Sequence, residues 1–246
     1  MPGRLTWQVG TVVELIAETP RCRSIVLELS DWAGHRPGQH VEVRLTAAEG
    51  YQAQRSYSIA SAPEDGFLVL TVERVVAGEV SPYLVDDLRV GDLVELRGPI
   101  GGSFVWDDSP NGPVILIAEG SGVVPFRSML RHWVATGGDG DVRLLYSARS
   151  LQAVLYLNEL MRAAAYDEVD IRFALTQEWP QRWHGHRGRI DGRLLEEVVG
   201  PAAGRPLCFV CGPSSFVEMV TNALVVQGNA PARIKTERFG PPPASS

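Results

Sequence analysis

The sequence has 246 residues, of which 45% are apolar, which is enough for two modest domains with packed cores. Its net charge of −6 provides no global positive field, so we expect neither nucleic acid nor a membrane surface as partner. The N-terminus lacks a signal-peptide core and no apolar run approaches the ~20 residues of a membrane span, which predicts a cytoplasmic protein. Three cysteines are too few for a disulfide framework or an iron–sulfur cluster held by four thiolates.

The first hundred residues predict an all-β domain. Six segments rich in Val, Leu and Ile alternate with turn signals, and no long helical pattern lies among them. We therefore predict a six-stranded antiparallel β-barrel, since closure of the sheet removes exposed edges. The expected strands are residues 8–17, 24–29, 40–45, 55–60, 67–74 and 93–97, with a short helical turn at 82–88.

Beyond a double turn signal at residues 110–113 the pattern changes. Continuous apolar strands alternate with helical patterns, which predicts a doubly wound parallel sheet with its ligand at the carboxyl ends of the strands. We expect strands at 114–118, 142–147, 169–176, 206–211 and 233–238, and helices at 123–135, 151–165, 192–199 and 215–227. The Pro/Ser-rich residues 241–246 predict a disordered tail.

The segment Arg55-Ser56-Tyr57-Ser58 is the first candidate binding motif. On an extended strand Arg55 and Tyr57 share a face, which offers a fixed cation and a flat ring to a ligand with a phosphate and a planar group. Ser58 adds a hydroxyl at the edge of that ring. By itself the segment is equally compatible with an edge strand that carries a solvated arginine and a half-buried tyrosine.

Three further motifs follow in order. Gly78-Glu79-Val80-Ser81 precedes a helical turn and suits a phosphate, although a turn glycine and a helix cap would look the same. Residues 119–125, Glu-Gly-Ser-Gly-Val-Val-Pro, follow a buried strand and open a helix, as a dinucleotide loop does. Pro125 stands where the third glycine of the pattern Gly-x-Gly-x-x-Gly would be. The Glu119 carboxylate would repel a pyrophosphate unless it points away. Cys211-Gly212-Pro213 ends another strand.

These four motifs, in this order over residues 7–240, resemble the ferredoxin–NADP reductase superfamily of flavoproteins. The resemblance implies an FAD-binding β-barrel over 1–108 and an NAD(P)-binding α/β domain over 109–240, as a stand-alone module without an iron–sulfur domain. The full phosphate loop favours FAD, and FMN stays open because one branch of the superfamily uses it.

The resemblance also assigns roles to positions. Arg55 would bind the flavin pyrophosphate, Tyr57 would lie against the isoalloxazine ring, and Ser58 would sit near its N5. The other cofactor positions are Ile59, Val72, Glu73, Gly78, Val80 and Ser81 for the flavin, and Gly120, Gly122, Val123, Pro125, Arg189, Gly212 and Pro213 for the nucleotide. Cys211 would border the nicotinamide, Phe239 would cover the flavin or the nicotinamide pocket, and Glu237 would handle protons.

Coenzyme choice depends on the end of the second strand of the α/β domain. NAD sites place an acid there and NADP sites a cation. Ser147 and Arg149 suit a 2′-phosphate, which predicts NADP, with NAD left open; Arg149 as a solvated residue at a helix start is the alternative. No metal site is predicted, because His184 and His186 have no acidic or thiol ligand at suitable spacing.

The implied reaction is hydride transfer from NADPH to flavin N5. Electrons would then pass singly to a separate acceptor protein, namely a ferredoxin or the redox centre of an oxygenase or other metalloenzyme, and we expect the reductase to be a monomer. Two alternatives remain: a flavin or ferric-chelate reductase of the same fold, and a non-catalytic flavin-binding subunit of a larger complex.

Overall fold

The structure is a computed structural model that describes residues 5–106, 112–138, 140–201 and 204–240. Its contacts divide the chain into two compact units. The first comprises Met1–Trp106 together with Val124–Ala135, and the second comprises Asp107–Val123 together with Thr136–Ser246. The predicted tail at 241–246, and residues 107–111 around the predicted domain boundary, lie outside the described residues.

The first unit contains the predicted antiparallel barrel. Its strands run in the order β4-β3-β6-β1-β2-β5, every neighbouring pair is antiparallel, and an antiparallel bridge between Ile59 and Leu70 joins the two edges. The prediction of six antiparallel strands is confirmed. The strands are β1 (Gln8–Thr19), β2 (Cys22–Glu28), β3 (His40–Thr46), β4 (Gln52–Ser58), β5 (Leu68–Glu73) and β6 (Leu93–Ile100).

Alternate residues of these strands fill the barrel. Ile25 and Leu27 of β2, and Val41 and Val43 of β3, are at most 1% exposed, as the period of two in a half-buried strand requires. Register shifts in β1, between Val12 and Glu14 and between Ala17 and Thr19, mark irregularities that bend this long strand. After β5, residues Tyr83–Asp87 form a short helix of the π type at the predicted helical turn.

Helix α1 (Val124–Ala135) belongs by its contacts to the unit that contains the barrel, whereas the sequence assigned it to the nucleotide-binding domain. Its Phe126 and Met129 are completely buried. Ser128 Oγ donates to the carbonyl of Ser61 at 2.6 Å, and Arg131 Nε donates to Asp65 Oδ2 at 2.8 Å. The helix is therefore held by the segment that follows β4.

The second unit is a parallel sheet in the order β10-β9-β8-β7-β11-β12, so the predicted doubly wound arrangement is confirmed. Strand order reverses between β7 and β11, the position at which such sheets bind ligands. The strands are β7 (Val114–Glu119), β8 (Val142–Ala148), β9 (Val169–Leu175), β10 (His186–Arg187), β11 (Leu207–Pro213) and β12 (Ile234–Phe239). The helices are α2 (Leu157–Ala163), α3 (Gly192–Val199) and α4 (Ser214–Val226).

Two local features differ from the sequence prediction. The expected helix over 151–165 is shorter, because Leu151–Ala153 form a 3-10 turn and Tyr156, with φ of 59°, precedes α2 in a left-handed conformation. Strand β10 has only two residues, too few to show a period, and was not predicted. Among the described residues, no helix is both long and apolar enough to span a membrane, and no three metal-ligating side chains form a group.

Candidate flavin and nucleotide sites

Strand β4 presents the first candidate motif. Arg55 and Tyr57 lie two residues apart, opposite Val43 and Val41 of β3, so both project from the same face. The Tyr57 ring packs against the barrel core, and its burial raises the pKa of the phenol, an effect that the Arg55 charge opposes. Arg55 is exposed. The strand therefore offers a fixed ring and an accessible cation side by side.

The loop over residues 75–81 is a tight turn closed by its own hydrogen bonds. Gly78 N donates to the carbonyl of Val75 at 2.9 Å, and Val75 N donates to Ser81 Oγ at 3.0 Å. A Cβ at Gly78 would lie 2.9 Å from Ser81 Oγ and 3.1 Å from the Val75 carbonyl oxygen, which is too close for any other residue without movement. The turn thus favours glycine, and its open backbone suits a phosphate.

A carboxylate of this loop contacts the arginine of the strand. Glu79 forms an ion pair with Arg55, and the Tyr51 hydroxyl donates to Glu79 Oε1 at 2.6 Å. Arg55 Nη1 also donates to the carbonyl of Gln54 at 2.7 Å. The two predicted phosphate elements are therefore brought together, joined by a glutamate and a tyrosine to which the sequence analysis assigned no role.

The other predicted flavin positions separate into two groups. Ile59, Val72 and Val80 have completely buried side chains within the barrel core, so they can contact a cofactor only through the main chain. Ser58 and Glu73 are partly exposed, and Ser81 is buried with its hydroxyl bound to Val75.

The glycine-rich loop follows β7 as a 3-10 turn, Gly120–Val123, and leads directly into α1. Gly120 has φ of 57°, the left-handed region that favours glycine. A Cβ at Gly122 would lie 2.1 Å from the carbonyl oxygen of Cys211, so this glycine allows the loop to approach the end of β11. Val123 and Pro125 are buried, which leaves the loop backbone as the surface for a ligand.

Charges at or just after the ends of three strands of the sheet influence one another. Burial raises the pKa of the Glu119 carboxyl at the end of β7, and the charges of Arg189 and Arg149 oppose that shift. Arg149, directly after β8, is exposed, whereas Ser147 is only 2% exposed. Of the two residues assigned to a 2′-phosphate, Arg149 is the accessible one.

The ends of β11 and β12 bring Cys211, Glu237 and Phe239 together. Cys211 pairs with Glu237 in the sheet, and Pro213 pairs with Phe239. Cys211 Sγ lies 3.9 Å from Glu237 Oε2, and burial, followed by the nearby carboxylate, raises the pKa of the thiol well above its ordinary value. The thiol is therefore protonated at neutral pH, in agreement with an orienting role.

The side chains that contact the predicted motifs were not themselves predicted from the sequence. Tyr51 and Glu79 lie beside Arg55, while Ser128 and Arg131 anchor α1. In the sequence, only the acidic Glu79 inside the phosphate loop could have indicated a contact with Arg55. The contacts of Ser128 and Arg131 join residues more than 65 positions apart, which no local pattern reports.

Comparison with known proteins places both units in characterised families. Residues 12–106 match the family described as "Oxidoreductase FAD-binding domain", and residues 116–222 match "Oxidoreductase NAD-binding domain". The glycine betaine monooxygenase reductase subunit of Pseudomonas aeruginosa is 32% identical over 211 residues, covering 85% of this chain and 57% of that protein. The phenol hydroxylase P5 protein of Acinetobacter pittii is 29% identical, covering 94% of this chain and 65% of that protein.

A solved structure gives the same result for the fold. The flavohem-like FAD/NAD binding domain of nitric oxide dioxygenase from Vibrio cholerae has a TM-score of 0.84 and 27% identity, and the match covers 95% of this chain and 99% of that one. The fold and the sites define a flavin- and nicotinamide-binding oxidoreductase module. The chain belongs to the ferredoxin–NADP reductase superfamily, and it spans little more than half the length of the first curated relative described above.

Proposed function

We propose that this protein is an FAD-dependent NAD(P)H oxidoreductase that takes hydride from NADPH and passes electrons singly to a separate acceptor. The observation that carries the proposal is that each unit holds one complete cofactor motif. In the first unit, Arg55 and Tyr57 adjoin the phosphate loop; in the second, the glycine-rich loop meets the end of β11 where strand order reverses.

The residues of the first unit fit FAD. Arg55 and the backbone of residues 78–81 would hold the pyrophosphate, Tyr57 would support the ring, and Ser58 would lie at its edge. When bound, FAD supplies the redox chemistry, because it accepts two electrons as hydride and releases them one at a time. The protein supplies binding, orientation and the exclusion of competing reactions.

The residues of the second unit fit a phosphorylated dinucleotide. The backbone of Gly120–Val123 would hold the nicotinamide coenzyme's pyrophosphate, and the exposed Arg149 would bind a 2′-phosphate. Because Ser147 is buried, it would shape the wall of the site more than it would bind phosphate. Cys211 and Phe239 would orient the nicotinamide.

The names of the relatives support the choice of acceptor. The reductase subunit of glycine betaine monooxygenase and the phenol hydroxylase P5 protein are named as components of oxygenase systems. We therefore favour the redox centre of an oxygenase component as acceptor, with a ferredoxin as the second choice. Cytoplasmic location and the monomeric state remain predictions, and size-exclusion chromatography tests the latter.

Anaerobic stopped-flow absorbance with NADPH and with NADH tests the proposal. We expect NADPH to bleach the oxidised-flavin band rapidly and NADH slowly. Arg149→Ala should weaken NADPH at least about tenfold, while NADH changes less than about twofold, because only NADPH carries the 2′-phosphate. Arg162→Ala on the exposed face of α2 is the control for loss of charge.

Other outcomes would redirect the proposal. Equal loss of both coenzymes in Arg149→Ala would exclude its role at the phosphate. Faster turnover with free FMN or ferric citrate than with a ferredoxin would favour a flavin or ferric-chelate reductase. A yellow protein that neither coenzyme bleaches would favour a non-catalytic subunit.

A further inference from the structure

The cation assigned to the cofactor phosphate is already engaged by a carboxylate of the same site. Arg55 projects from β4, Glu79 belongs to the phosphate loop, and their side chains form an ion pair. A second guanidinium nitrogen of Arg55 donates to the carbonyl of Gln54. In this structure the fork of the arginine is therefore turned toward protein acceptors.

Glu79 is held in that position by a second donor. The Tyr51 hydroxyl donates to one carboxylate oxygen at 2.6 Å, while Arg55 contacts the other oxygen. The hydrogen bond from Tyr51, followed by that from Arg55, lowers the pKa of Glu79. The carboxylate is thus fully ionised at neutral pH, and both of its oxygens have a hydrogen-bond donor.

The other arginine of this loop does not substitute for Arg55. Arg74 Nε donates to Asp86 Oδ2 at 2.6 Å, so its charge is balanced by a different carboxylate. Arg55 is therefore the cation that Glu79 and a cofactor phosphate would share.

We propose that Glu79 is an internal competitor for the cofactor phosphate: it holds Arg55 in the ligand-free protein, leaves when the pyrophosphate binds, and thereby sets the affinity for FAD. This inference rests on the proposed function. A carboxylate and a phosphate use the same donors of a guanidinium group, so both cannot hold the same fork fully. After displacement, Glu79 remains in the loop close to a second anion, which further weakens binding.

The exposure of the pair makes the exchange reversible. The side chains of Arg55 and Glu79 are 53% and 46% exposed, so water can solvate the carboxylate as soon as it is released. The pair is consequently weak enough for a pyrophosphate to displace it. The Arg55–Glu79 pair should therefore lower the affinity for FAD by a moderate factor without preventing binding.

Titration of the cofactor-free protein with FAD, FMN and riboflavin tests this proposal. Binding is monitored by flavin fluorescence in phosphate-free buffer. Glu79→Gln, which keeps the shape and removes the charge, should bind FAD about three- to tenfold more tightly and FMN also more tightly. Riboflavin, which has no phosphate, should bind with unchanged affinity. Glu14→Gln on the exposed side of β1 is the matched control for removal of one negative charge.

A second variant pair locates the effect at Arg55. In an Arg55→Ala background the gain from Glu79→Gln should become clearly smaller, because the shared cation is absent and only the repulsion between Glu79 and the phosphates is relieved. Unchanged or weaker FAD binding by Glu79→Gln would overturn the inference, as would an equal gain for riboflavin. A wild-type protein that binds no FAD would instead overturn the proposed function, and this inference with it.

Discussion

Substituting Gly122 by alanine should damage the second unit at the point where strand order reverses. A Cβ at this position would lie 2.1 Å from the carbonyl oxygen of Cys211, 2.6 Å from its carbonyl carbon and 3.0 Å from Gly212 N. These three atoms belong to the backbone of β11 and cannot rotate away, so the loop and the end of β11 must separate by about 1 Å.

Forced separation of this kind costs about 2–3 kcal/mol, the upper part of the range for overpacking, because backbone atoms have to move. The corresponding fall in Tm is roughly 5–10 °C for a chain of this size. Calorimetry measures the stability. Titration with NADP⁺ should show a loss of affinity of about tenfold or more, since the loop would no longer hold the pyrophosphate in place.

Gly192→Ala is the matched control in the same unit. A Cβ there would meet only Gln227 Nε2 at 3.8 Å, an ordinary contact, and alanine is favoured over glycine in helix α3. This variant should unfold at or slightly above the wild-type temperature. If Gly122→Ala also unfolds within about 2 °C of wild type, the steric argument for this glycine is refuted.

Three further predictions concern ionisable groups. Burial raises the pKa of Asp65, but hydrogen bonds from Arg131 and from a backbone N–H outweigh this effect, so the net pKa is lowered. The carboxylate therefore contributes stability above its ordinary pKa, and this stability is lost as pH falls through the pKa of the folded state. In urea unfolding, Asp65→Asn should lower the free energy of unfolding by about 1 kcal/mol after solvent screening, against less than about 0.5 kcal/mol for Asp170→Asn in an exposed pair. Burial is the main cause of the raised pKa of Glu119, so stability should fall as pH rises above about 4.5. Glu119→Gln should resist urea better than wild type near pH 8, with no difference below pH 4. Equal unfolding midpoints of the variant and the wild type at both pH values would contradict this. The three buried cysteines should resist a thiol-specific reagent at pH 8 in the native protein and react only after unfolding in urea, and rapid native labelling would contradict their burial.

The architecture was predictable because it depends on local patterns. The period of two in β3, and the continuous apolar runs of β7 and β11, each report which faces of a strand are buried. The candidate motifs were also readable, since each is a short run of residues at the end of a strand. By contrast, apolar residues distributed along residues 151–165 predicted one helix, but this segment divides into a 3-10 turn and a short helix.

The sequence also left the environment of each motif undetermined. Ser147 and Arg149 are two residues apart and seemed equivalent as phosphate ligands, yet one is buried within the sheet and the other is exposed beyond its end. Gly122 was assigned to the nucleotide site, and the structure shows that it also makes room for Cys211. Both facts depend on which strands are neighbours.

By itself, the sequence determined one all-β and one α/β region, because hydrophobic periodicity and turn chemistry act over a few residues. It also gave the positions and order of four candidate binding motifs. Tertiary structure alone decided that α1 packs with the barrel unit and that Glu79 meets Arg55 across 24 positions of the chain. It also decided that the charges of Arg149 and Arg189 act on Glu119. Contacts of this kind arise from strand pairing and loop closure between distant segments, and no local pattern encodes which distant charge a side chain will face.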